Sequence, residues 1–133
     1  MEILNSIPWD PRWTYVLGWN GVLFCFLTGA VLGLVVKNDA NLGGYDSIKR
    51  RYVRLGHIAC GALGIINIMA AICAKSGFFF PNLSLALLAV GLIMMPISCF
   101  IHAFTKQGYY FFWLPSTSLI TAVVIQSFGG WFV

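Results

Sequence analysis

"LSLALLAVGLIMMPISCFIHAF", residues 83–104, runs for twenty-two positions without an Asp, Glu, Lys or Arg. A hydrocarbon core of about 30 Å is crossed by about 20 helical residues, so this stretch alone is long enough to span a bilayer. In lipid it must be helical, because lipid offers backbone N–H and C=O groups no partners and a helix satisfies its own. Three more apolar stretches accompany it. Together 13–36, 52–74, 83–104 and 109–131 predict an all-α integral membrane protein, with four transmembrane helices in an up-and-down antiparallel bundle that forms one domain over residues 1–133.

The composition agrees. Of 133 residues, 59% are apolar and 9% charged, where soluble domains carry about a quarter charged. The net charge of +4 rests on eight Lys and Arg scattered among the spans, and this excludes nucleic acid as a partner. Met1-Glu2 supply no basic n-region, so the first stretch is expected to be retained and not cleaved as a signal peptide. Cys25, Cys60, Cys73 and Cys99 all fall within apolar stretches, which argues against a secreted-type disulfide framework.

The connections "KSGFFFPN" and "TKQG" are short, with Gly77, Pro81 and Gly108 as breakers. The first connection is longer, and its Gly43-Gly44 pair followed by Asp46 or Ser47 predicts a turn running into a helix N-cap. Lys37, Lys49, Arg50, Arg51, Arg54 and Lys106 share the side of the first and third connections, against Arg12 and Lys75 on the other. The positive-inside rule then makes that side cytoplasmic and both termini non-cytoplasmic. Trp9, Trp13 and Trp131 would mark the outer interface, and Tyr45, Tyr52, Tyr109 and Tyr110 the inner one. Cations at a helix N-terminus oppose the macrodipole. Lys49, Arg50, Arg51 and Arg54 therefore predict docking of anionic lipid headgroups or of an acidic partner subunit.

His57 lies three residues inward from Arg54, and His102 four residues inward from Lys106, which places the imidazoles at nearly equal depth. Cys60 follows His57 by three and Cys99 precedes His102 by three, so each histidine has a cysteine one turn deeper on its own face. Three readings compete. In the first, His57 and His102 ligate haem b, an arrangement that resembles the small four-helix membrane cytochromes in using His on different antiparallel helices. In the second, His57, Cys60, Cys99 and His102 bind copper or zinc, with Met94 or Met95 as a deeper soft contact. The third is structural, with the histidines hydrogen-bonded across helices and the cysteines acting as small apolar fillers.

Thr14, Gly18, Gly21, Cys25 and Gly29 form a small-residue stripe that predicts a packing seam. Asn20, Asn67 and Gln126 are expected to hydrogen-bond across helices, and Pro96 to kink its helix. No carboxylate lies within a span, and no catalytic or phosphate-loop motif is present, so no self-contained enzyme is expected. The favoured expectation is an accessory, anchor or assembly subunit of a larger membrane complex, in a respiratory or other electron-transfer setting. The alternatives are a metal-free interaction protein using the basic cluster and, more remotely, an oligomeric channel or carrier.

Overall fold

Pro11 occupies the first helical position after Asp10, whose carboxylate accepts from the backbone N–H of Arg12 at 2.8 Å, and together they start α1, Pro11–Val35. The structure, a computed structural model, describes residues 6–37 and 41–129, with the side chains of 106–108 outside the description. Gly43 and Gly44 adopt positive φ and reverse the chain, and the neighbouring Leu42 shares that left-handed conformation. Ser47 then caps α2, Ile48–Lys75, by accepting from the backbone N–H of Arg50 at 3.2 Å. The cap, not the start of the apolar stretch at 52, sets the helix boundary. The basic cluster therefore lies inside the first two turns of α2.

Asn82–Phe104 forms α3, which runs continuously through Pro96. A 3-10 segment, Lys106–Phe112, precedes α4, Trp113–Gly129, so the last α-helix begins later than the apolar stretch at 109. Pro115 accounts for this delay. It has no N–H to bond the carbonyl of Phe111, and its ring would clash there if the α-helix extended backward. The Ser98 hydroxyl of α3 lies 2.8 Å from the Met94 carbonyl oxygen and 3.2 Å from that of Phe111, and shares its single proton between them.

All four segments are long and apolar enough to cross a membrane, the last counted from Tyr109, and the described residues contain no strand. α1 packs on α2 and touches α3; α2 packs on α3; α4 rests on α3. Polar side chains tie α4 down: Ser84 donates to the Ala122 carbonyl at 3.0 Å and Ser118 to the Leu87 carbonyl at 2.6 Å. Ala70, Leu85, Leu88 and Ala122 form the buried cluster beside them.

The small-residue stripe of α1 is the α1–α2 seam. Thr14 and Gly18 are buried, and a β-carbon on Gly18 would lie 2.7 Å from the Gly64 carbonyl oxygen. Asn67 bonds across helices as expected, to the Leu88 carbonyl at 3.3 Å, whereas Gln126 reaches the Phe79 carbonyl in the connection between α2 and α3, at 2.6 Å. Asn20 corrects the expectation. It is exposed, and its Nδ2 donates within its own helix to the Val16 carbonyl at 2.8 Å. Met1, Glu2 and Trp131, named above, lie outside the described residues, as does the Lys106 side chain.

Candidate functional site

Lys49, Arg50, Arg51 and Arg54 occupy successive directions around the start of α2 and meet different surroundings. Lys49, Arg51 and Arg54 are exposed, and Arg51 sits 3.7 Å from the Asp46 carboxylate. Arg50 turns inward, only 6% exposed, with its guanidinium carbon 5.1 Å from the centre of the Tyr45 ring. No acidic residue stands in the first turn of α2.

Arg50, Arg54 and His57 share one cavity of about 400 Å³ between the ends of α1 and α2, with Tyr45 at its edge. Its other wall is Gly29, Leu32, Gly33 and Val36 of α1. Gly33 has open space where a side chain would stand. The cavity is thus amphipathic: guanidinium and imidazole on the α2 side, backbone and aliphatic carbon on the α1 side. A guanidinium in such a place binds a phosphate or carboxylate through charge-assisted, often bidentate, hydrogen bonds.

His57 is held by α1. Its Nδ1 is 3.0 Å from the Thr28 hydroxyl oxygen, and Cys25 Sγ lies 3.8 Å from Nδ1 and 4.0 Å from Nε2. The Thr28 hydroxyl already donates to the Phe24 carbonyl at 2.7 Å. A hydroxyl carries one proton; given to the Phe24 carbonyl, it leaves the Thr28 oxygen to accept from a proton on Nδ1. Gly29 is what admits the ring, since a β-carbon there would lie 2.9 Å from Cε1.

His102 is elsewhere. Its ring centre lies 4.2 Å from that of Tyr52, edge to face, and 5.9 Å from that of Phe112. Nδ1 of His102 is buried without a hydrogen-bond partner. Tyr52 and His57 project from α2 about 140° apart at 100° per residue. The two histidines therefore serve different flanks of one helix. Cavities follow the same division: His102 lines a second one, of about 420 Å³, with Ile48, Arg51, Tyr52 and Leu55.

Cys60 and Cys99 are buried at 2% and 0% exposure. A β-carbon on Gly56 would meet the Cys99 Cβ at 3.1 Å, and one on Gly21 the Cys60 carbonyl oxygen at 3.0 Å, so both cysteines fill helix seams. The expected four-residue set does not form: among the described residues no group of three or more His, Cys, Asp and Glu side chains is placed to hold a metal ion. The two imidazoles meet different neighbours, His57 against Thr28 and Gly29 and His102 against Tyr52 and Phe112. The α1 backbone abuts the His57 ring, with a β-carbon on Gly29 falling 3.5 Å from Nε2.

The sequence places Tyr45 only at the inner interface, without its contact to Arg50, and gives no role to Thr28, which holds His57. Thr28 stands directly before Gly29 of the recognised stripe, and that adjacency was the available signal. Comparison with known proteins finds no matching family model, curated protein or solved structure.

Proposed function

We propose that this chain is a multi-pass membrane protein, its helices crossing the bilayer in up-and-down order, that acts as an accessory or anchor subunit by holding an anionic lipid headgroup between α1 and α2. The observation that carries the reading is the inward turn of Arg50, almost fully buried, into the cavity that Arg54 and His57 also line. A purely solvating charge would stay at the surface, as Lys49 and Arg51 do.

The headgroup phosphate meets the two guanidiniums, and its charge offsets cations that the helix dipole disfavours. His57, on the same cavity wall, offers its imidazole edge to the polar part of the headgroup. The acyl chain leaves along Leu32 and Val36. In this reading the basic connections face the cytoplasm and the lipid belongs to the inner leaflet, where each nearby basic residue contributes about 1 kcal/mol of attraction to an anionic surface.

Spin-labelled lipids added to the reconstituted protein test the proposal. Labelled phosphatidylglycerol, which carries phosphate and hydroxyls, is expected to show a larger protein-bound fraction than labelled phosphatidylcholine. Replacing Arg50 and Arg54 by Gln should remove the excess, and Lys49→Gln should preserve most of it. Equal bound fractions for the two lipids in the unaltered protein would refute the reading.

A further inference from the structure

α1 and α3 enclose a cavity of about 220 Å³ with Cys60 of α2 at its floor. Cys60, Leu92 and Pro96 are buried, whereas Asn20, Phe24, Ile93 and Ile97 are exposed, so the cavity opens sideways between the two helices. By the helical rise Asn20 lies about 13 Å along α1 from Pro11, and Leu92 about 15 Å along α3 from Asn82. The cavity is therefore near the middle of both spans.

No charged residue lines it, yet its wall is not wholly apolar. The Asn20 side chain gives one Nδ2 N–H to the Val16 carbonyl at 2.8 Å, which leaves the second N–H and Oδ1 for another partner. Pro96 has no N–H to give the Leu92 carbonyl four residues back, and both residues line the cavity. A carboxamide and a carbonyl short of its helical donor thus stand in one apolar hollow, and polar groups at such depth serve a cavity or a partner. Phe24 and Phe100 add an aromatic wall, packed edge to face with ring centres 6.4 Å apart.

We infer that this cavity is a binding site for a lipid-soluble phenol or quinol, whose ring lies against Phe24, Pro96 and Phe100 and whose hydroxyl pairs with the Asn20 carboxamide. The uncharged lining disfavours an ionised ligand, because nothing there would compensate its desolvation. The depth disfavours a phospholipid headgroup, which stays outside the hydrocarbon core. The volume falls below the roughly 300–1,000 Å³ of pockets for drug-sized ligands, which suits a single ring. A hydroxyl donates to Oδ1 and accepts from the free Nδ2 N–H, whereas an acyl chain alone would leave both unmet. The site depends on the transmembrane placement proposed above and shares no residue with the headgroup cavity.

Photolabelling of the full-length protein in liposomes with a diazirine-bearing alkylphenol tests it. Label is expected on the α1 and α3 segments that line the cavity. Unlabelled para-decylphenol should compete roughly 3- to 10-fold better than decylbenzene, the value of one hydrogen bond. Asn20→Leu, an apolar change at an exposed position, should abolish that preference. Ile97→Trp, which obstructs the mouth, should abolish the labelling, and Ile120→Trp on the exposed side of α4 should change neither. Resistance of the chain to alkaline extraction from the liposomes reports insertion separately. In a chain that resists extraction, equal competition by the two compounds, or a preference indifferent to Asn20→Leu, would overturn the site; a chain that is extracted would overturn the transmembrane placement and the site with it.

Discussion

Gly18 and Gly64 meet backbone to backbone: a β-carbon on Gly18 would lie 2.7 Å from the Gly64 carbonyl oxygen, and one on Gly64 would lie 2.8 Å from that of Gly18. Between helices in lipid, where burial from water gives no drive, this closeness is what permits dense packing. Gly64→Val should therefore lower unfolding stability in detergent by about 1–3 kcal/mol, the range for overpacking a tight site. Gly33→Ala, made in open space farther along α1, should leave stability unchanged or slightly raised. Equal effects of the two would contradict a glycine-dependent seam.

The His57 imidazole should be found as the Nδ1–H tautomer, because Thr28 has already committed its proton to the Phe24 carbonyl. Nitrogen chemical shifts of labelled histidine distinguish the tautomers directly. Thr28→Val should cost about 1–2 kcal/mol, the value of a buried donor left without its acceptor. A neutral ring carrying its proton on Nε2 in the unaltered protein would disprove the assignment.

Ser98 and Pro115 should behave as a coupled pair. Ser98→Ala removes the hydroxyl that meets the Phe111 carbonyl and is expected to cost about 1 kcal/mol. Pro115→Ala restores a backbone N–H that can reach the same carbonyl, so the serine should matter less in that background. A double-mutant cycle in detergent unfolding measures the coupling; strictly additive effects would contradict it.

The sequence discloses what runs along the helix axes and hides what runs around them. Twenty-two residues without charge announce a span, and Gly43-Gly44 before Ser47 announces a turn and a cap. The stripe from Thr14 to Gly29 was legible as a seam because five small residues at helical spacing fit little else. Depth follows from the constant rise, so the spacing to Arg54 and Lys106 predicts similar depths for His57 and His102. Azimuth follows from which neighbour each helix meets, and α2 is turned by its glycine contact with α1 so that His57 faces Thr28 while Tyr52 faces His102. The same blindness affected Asn20. A polar residue in a span is expected to bond across helices, and the sequence does not say that Asn20 bonds within its own helix instead.

The central claim is that one anionic lipid sits against Arg50 and Arg54. Native mass spectrometry of the protein released from phosphatidylglycerol-containing nanodiscs tests it most directly. We predict a retained mass of one phospholipid per chain that survives collisional activation and disappears on joint Arg50→Gln and Arg54→Gln substitution. A retained lipid population identical in the unaltered and substituted proteins would contradict the account.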